Sequence, residues 1–282
     1  MSTYTTQQIQ PPKSLLRPVG RAVGDYAMIR AGDRILLGLS GGKDSLSMLH
    51  VLRHMQKHAP IRFDVGTITV DPQVEGFDPS PLQAYLHELG IPHHYVRQPI
   101  MERAKTHMQG NSYCSWCARM KRGAMYATAR AEGYNVLALG QHLDDLAESF
   151  LMSAFHGGRL QTMKAHYLNA DRDVRIIRPL VYVRERQLRA FSEAAQLPVI
   201  RDNCPACFRM PTQRQHMKAL LNLEESHNKT LFKALLSTLR PLMDEKSTGI
   251  IESLSFNAKP HRNRGSSVVL WGISDEVSII HR

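Results

Sequence analysis

The stretch Arg34 to Ser45, RILLGLSGGKDS, constrains this chain more than any other. Arg34 to Leu39 reads as a short buried strand, and after Ser-Gly-Gly the segment Asp44 to His58 carries Met48, Leu49, Leu52 and Met55 at helical spacing. A strand that feeds a helix through a glycine turn aims backbone N–H groups, a helix N-terminus and the Lys43 ammonium at one spot, which is how phosphate is held. Ser40 and Ser45 add hydroxyl donors to Gly41 and Gly42. The loop is not a Walker A motif, because GxxxxGK[ST] would need a glycine at Leu37 and a hydroxyl residue at Asp44. A carboxylate beside the lysine fits a phosphate site when a divalent cation lies between them, so Asp44 is expected to reach Mg2+.

The alternation continues downstream. Phe63 to Val70 reads as a strand, Pro81 to Leu89 as a helix, His93 to Arg97 as a strand, Ala118 to Ala131 as a helix, Val136 to Leu139 as a strand and Leu143 to Phe155 as a helix closed by Gly157-Gly158. Before them, Ser14 to Ala31 reads as a helix; after them come a strand at Val174 to Ile177 and a helix at Arg184 to Gln196. The expected fold class is α/β, a parallel sheet with helices on both faces, whose ligands bind beyond the carboxyl ends of the strands. Thr212 to Met243 is helix-forming with a break near Ser226 to Thr230, so residues 1–210 are expected as the catalytic domain and 211–282 as a helical, basic C-terminal extension.

The chain has 282 residues, 43% of them hydrophobic, enough for a sizeable core. No run approaches the roughly 18 apolar residues of a membrane span, and the polar start lacks the order of a signal peptide. A soluble cytoplasmic protein without a membrane partner is expected. The formal net charge of +11 raises the prospect of a polyanionic partner, nucleic acid before membrane. The clusters Arg172, Arg175, Arg178 and Arg184, Arg186, Arg189, together with Arg119, Lys121, Arg122, Arg209, Arg214, Lys259, Arg262 and Arg264, are the candidate phosphate contacts.

Two further groups carry chemistry. Asp144 and Asp145 in GQHLDD follow a strand on the same edge of the sheet as the phosphate loop, where they serve either as helix caps or to hold Mg2+ and position a nucleotide. The four cysteines form two CxxC pairs, Cys114/Cys117 and Cys204/Cys207, separated by 86 residues. A compact zinc ribbon has a gap of roughly 15 to 20. In a reducing compartment such pairs hold metal more often than they form disulfides; a structural zinc on all four thiolates is one reading.

SGGKDS at Ser40 to Ser45 resembles the signature of the PP-loop ATP pyrophosphatases, and GQHLDD resembles their second mark, with Gln141-His142 departing from the more usual two histidines or His-Asn. The order SGGKDS, CSWCARMKR, GQHLDD, RDNCPAC, with IIRPLVYVRE at Ile176 to Glu185, is similar to the iron–sulfur-dependent tRNA-thiolating branch, and most closely to the tRNA 2-thiocytidine synthetases. The resemblance implies an ATP-dependent 2-thiolation of cytidine at position 32 of tRNA through an adenylated intermediate, releasing AMP and pyrophosphate. It implies ATP and Mg2+ at Ser40, Gly41, Gly42, Lys43, Asp44 and Ser45, with Asp44 and Asp145 on the metal and Lys43, Asp44, Lys121, Asp144 and Asp145 as catalytic residues. It further implies a 4Fe-4S cluster on Cys114, Cys117 and Cys204, with Cys207 an alternative third or a fourth ligand. A cysteine desulfurase as sulfur source and a homodimer complete the expectation. The competing reading is a PP-loop amidotransferase or ligase with a structural zinc, or a 2-thiolase of another tRNA pyrimidine.

Overall fold

In a computed structural model the described residues are 9–74, 76–100, 102–103, 113–200 and 212–245, with the side chains of 113–115 excepted. The sheet begins with β1 (Arg34–Gly38), whose residues alternate in side: Ile35 and Leu37 join one apolar cluster and Leu36 joins the other, all fully buried. Burial on both faces explains the uninterrupted apolar run. β2 (Asp64–Asp71) and β3 (His93–Arg97) pair in parallel on one side of it, and β4 (Val136–Ala138) and β6 (Arg175–Ile177) on the other. A further strand, β5 (His166–Leu168), pairs antiparallel with β6 and closes that edge, giving the order β3-β2-β1-β4-β6-β5. The sheet is therefore mostly parallel rather than wholly so. β5 is only partly buried and reads His166-Tyr167-Leu168, without the buried apolar residues that mark the equally short β4 and β6, which is why the sequence does not show it.

One face is covered by α1 (Lys13–Asp25), α2 (Lys43–His58), α3 (Ser80–Glu88), α5 (Leu143–Gly157) and α6 (Glu185–Ala194). The other carries α4 (Tyr113–Ala131), through Ala124 and Ala129. α1 stops at Asp25, short of Ala31, where the chain turns through Ala27 at φ 45°.

α7 (Gln213–His227) and α8 (Leu231–Met243) follow the expected break. Thr212 caps α7, accepting from Gln215 N at 3.2 Å while donating its own N–H to Gln215 Oε1 at 2.7 Å. Leu221, Phe232, Leu239 and Met243 belong to the same apolar cluster as β1 and α2. Among the described residues α7 and α8 therefore pack into the core that carries the sheet.

From β1 the chain winds to β2 on one side and later to β4 on the other. The loops leaving β1 and β4 therefore part at adjacent carboxyl ends, the switch point where open α/β sheets bind ligands.

Candidate nucleotide and metal site

The loop between β1 and α2 is shaped by its glycines. Gly41 has φ +84°, and a Cβ there would come within 2.1 Å of Ile200 Cγ1. Only glycine lets Ile200 close over the loop and donate its N–H to Gly41 O at 3.0 Å. Inside the turn Ser40 Oγ accepts from Gly42 N at 3.3 Å, and Ser45 Oγ donates to Gly42 O at 3.0 Å. Gly140 brings the second loop against the first: its Cβ position would be 3.5 Å from the Ser45 backbone.

Lys43 opens α2. Its Nζ is 3.2 Å from Asp44 Oδ2 and 3.0 Å from Glu185 Oε1. Burial lowers the affinity of this amine for its proton, but Asp44 and Glu185 outweigh that and its pKa is raised. Asp44 is the opposite case. Burial pushes its carboxyl above the usual range despite His142 and Lys43, and Asp44 Oδ1 is buried with no hydrogen-bond partner.

His142, only 5% exposed in its side chain, joins the two loops. Its Nε2 is 3.8 Å from Asp44 Oδ2 and 3.4 Å from Asp145 Oδ2, and its Nδ1 is 3.6 Å from Asp144 Oδ2. Burial disfavours the charged ring, but the carboxylates of Asp144, Asp145 and Asp44 raise its pKa above the usual histidine value. The neutral ring is also accommodated, accepting from Asp145 N at 3.4 Å while Asp145 Oδ2 accepts from His142 N at 3.0 Å, a capping box at the start of α5. His142 stands at the centre of the site, although its place in GQHLDD had suggested little.

Asp144 and Asp145, adjacent in sequence, face different surroundings. Arg184 clasps Asp144 with Nε 3.1 Å and Nη2 3.0 Å from Oδ1, and Glu185 N donates to its Oδ2 at 2.8 Å. Burial would raise this carboxyl, but His142 and Arg184 hold it well below the usual range. Arg184 also reaches Glu225 on α7 at 2.7 and 2.8 Å and lies 3.2 Å from the centre of the Phe232 ring on α8, so one half-buried guanidinium ties four helices together. Asp145 keeps an outward oxygen, 3.3 Å from the half-exposed Arg214. Behind it Glu148, on the next turn of α5, is pushed up to about 7 by burial and by Asp145.

α4 enters from the same edge. Met125 Cε sits 3.3 Å from where a Gly38 Cβ would be, at the end of β1. Lys121 is one turn closer to the edge and Cys117 a further turn, both half-buried on one face of the helix. Cys114 lies on the first turn of α4. Cys204 and Cys207 lie outside the described residues, as do Arg209, Lys259, Arg262 and Arg264. Among the described residues no trio of His, Cys, Asp or Glu is disposed to hold a metal by itself. Nor does any helix there have the length and apolarity to cross a membrane.

Several candidate phosphate contacts point inward instead. Arg178 is 4% exposed and binds Gln141 Oε1 at 2.9 Å, Arg175 is ion-paired with Asp33 beneath the sheet, and Arg184 is committed to Asp144 and Glu225. Arg172, Arg119, Arg186 and Arg189 remain at the surface. Glu185 and His142 are the site residues that the sequence did not single out, and Arg184 was expected at a phosphate rather than at Asp144. Glu185 and Arg184 stand in the VYVRE segment, and the Asp144 that Arg184 and Glu185 N hold is some 40 residues away.

Comparison with known proteins agrees with this geometry. The profile of the PP-loop domain family matches residues 14–224. The tRNA-cytidine(32) 2-sulfurtransferase of Geobacter sulfurreducens is 40% identical over 231 residues, covering 80% of this chain and 89% of that protein. Its counterpart in Pseudomonas fluorescens is 40% identical over 223 residues, 78% and 81% of the two chains. In fold, the structure of the U34-tRNA thiolase NcsA from Methanococcus maripaludis with its [4Fe-4S] cluster superposes with a TM-score of 0.68 at 22% identity, over 83% of this chain and 78% of that one. By its phosphate loop, its sheet and these relatives, the chain belongs to the PP-loop domain family and, within it, to the family of the tRNA-cytidine(32) 2-sulfurtransferases.

Proposed function

We propose that the protein uses ATP to replace the C2 oxygen of a tRNA cytidine, at position 32, with sulfur. The observation that carries this reading is the meeting of the Ser40–Ser45 loop with Asp44, His142 and Asp145 at the switch point of the sheet, in a chain 40% identical to curated tRNA-cytidine(32) 2-sulfurtransferases. The loop amides, the Ser40 and Ser45 hydroxyls and Lys43 bind the β- and γ-phosphates and stabilise the charge that gathers on pyrophosphate as the α–β bond breaks. The C2 oxygen attacks the α-phosphorus and becomes an adenylate, a far better leaving group than an amide-like oxygen. Sulfur then bonds to C2 and AMP departs. Lys121, one helical turn beyond Cys117 on α4, is assigned the charge on the departing oxygen.

Mg2+ suits the carboxylates. The orphaned Asp44 Oδ1 is an acceptor that lacks a partner, and one or two carboxylates plus phosphate oxygens are the usual Mg2+ environment. Asp44 and Asp145 would hold the ion, while Asp144, spent on Arg184, is a positioning residue.

A 4Fe-4S cluster fits Cys114 and Cys117 on the first turns of α4, where a helix N-terminus favours thiolates. With Cys204 or Cys207 as the third ligand it would supply the sulfur, and all four cysteines would close it. Ile200 is bonded to the phosphate loop, and Cys204 follows by four residues, so chain length alone keeps it within roughly 14 Å of Ile200. A cysteine desulfurase as sulfur source, a homodimer and a cytoplasmic setting complete the proposal.

Deleting the gene and digesting bulk tRNA to nucleosides tests the substrate. Mass spectrometry is expected to show loss of 2-thiocytidine. Its persistence with loss of 2-thiouridine would move the reaction to another pyrimidine. An as-purified protein holding stoichiometric zinc and no iron would favour the amidotransferase or ligase reading.

A further inference from the structure

We propose that the exposed face of α1 is a docking ridge for the phosphate backbone of the tRNA substrate, contacted by Lys13, Arg17 and Arg21. The inference rests on the thiolase reading above and adds the surface that such a substrate would use. Spaced four residues apart, the three cations form one stripe about 6 Å between neighbours, while Leu15, Val19 and Ala22 bury the opposite side. All three are exposed, and none forms an ion pair among the described residues.

Several other surface arginines are spent locally: Arg186 on Glu225, Arg189 on Glu185, and Arg130 on Asp171 and Asp173. α1 offers its cations no such acid. Its sole carboxylate, Asp25, stands at the far end and is taken by Arg240 at 2.7 Å and by the Tyr182 hydroxyl at 2.9 Å. The first turn has no acid and one lysine, the reverse of what the helix dipole favours. An ordinary solvated helix face mixes acids with its cations; this one is left positive over two turns, about 12 Å, longer than a single phosphate group.

The ridge begins at the reaction site. Gln187 Nε2 donates to Ser14 O at 2.9 Å, Arg184 N donates to Gln187 Oε1 at 2.9 Å, and Arg184 holds Asp144. Lys13 thus stands at the carboxyl edge of the sheet. The stripe recedes from there to Arg21, 5.0 Å above the Tyr182 ring. A strand of phosphates following it would leave one nucleotide free to reach the phosphate loop.

The test compares full-length wild type with the triple variant Lys13→Gln, Arg17→Gln, Arg21→Gln, and with a control of equal charge loss at the opposite edge of the sheet, Arg30→Gln, Lys57→Gln, Arg62→Gln. Bulk tRNA is titrated over a series of salt concentrations. Removal of three phosphate contacts is expected to flatten the slope of log affinity against log salt by about 2 to 3, and to weaken binding at 0.1 M salt on the order of a hundredfold. ATP affinity and thermal midpoint should stay at wild-type values, and the control should change the slope by less than about 1. A triple variant with the wild-type slope, or one equalled by the control, overturns the ridge while leaving the thiolase reading intact. If the variant keeps tRNA binding but loses binding to anionic phospholipid vesicles, the ridge serves a membrane and the proposal is wrong. Absence of salt-dependent tRNA binding in wild type would instead overturn the thiolase reading and the ridge with it.

Discussion

Lys43 and Glu185 are the first residues of α2 and α6, and their side chains form a 3.0 Å ion pair that fixes the lysine of the phosphate loop from across the site. Burial alone would raise the Glu185 carboxyl, but Lys218 and Lys43 hold it down to about 2. A depressed carboxyl contributes stability that is fully present above its unfolded pKa of about 4.5 and is lost as pH falls through the folded value. Glu185→Gln is therefore expected to lower unfolding free energy at neutral pH by about 1 to 3 kcal/mol. Urea titrations at a series of pH values should show that difference shrinking below about pH 4.5. A constant difference across the range would mean that packing, not charge, accounts for the loss.

Asp44 carries the opposite expectation. Its buried, partnerless Oδ1 and raised pKa are unfavourable in the ligand-free protein. Asp44→Asn should leave the thermal midpoint unchanged or higher while abolishing Mg2+-dependent ATP binding. A variant that melts well below wild type would show that the carboxylate is structural.

Glu148 gives a pH signature of its own. Burial and Asp145 push its carboxyl up to about 7, so the folded protein keeps a proton there that the unfolded chain loses near 4.5. That raised value erodes stability as pH climbs from about 4.5 to 7. Glu148→Gln should remove this component, and the variant should gain on wild type through that interval. An unchanged pH–stability curve would place the Glu148 pKa near its ordinary value.

Arg184 serves two partly buried carboxylates and an aromatic ring at once. Arg184→Met would leave Asp144 and Glu225 without their partner, at a cost of about 2 to 3 kcal/mol, because water reaches part of both carboxylates. Lysine should restore little, because a point charge cannot reproduce the planar fork. Equal urea midpoints for Arg184→Lys and wild type would refute this role.

The phosphate loop was legible because its chemistry is local: glycines, a lysine and a carboxylate within six residues, framed by a strand and a helix. So was the alternation that places α2, α5 and α6 on the sheet. The division of labour between Asp144 and Asp145 was not. It depends on Arg184, 40 residues away, and on the helix cap that His142 makes between them. For the same reason Arg175 and Arg178, which look like surface charge in a basic stretch, are turned inward by Asp33 and Gln141 from distant parts of the chain. The stripe of Lys13, Arg17 and Arg21 was written in plain helical spacing, but only the packing of α1 shows that it begins at the site.

The proposed reaction is adenylation of a cytidine oxygen followed by its replacement with sulfur. The most direct measurement incubates the anaerobically reconstituted protein with ATP, Mg2+, sulfide and tRNA lacking the modification, then assays nucleosides and nucleotides together. 2-Thiocytidine is expected together with AMP and pyrophosphate, one of each per sulfur inserted. Thiolation with ADP and phosphate as the nucleotide products, or AMP release without any thionucleoside in fully reconstituted protein, would contradict it.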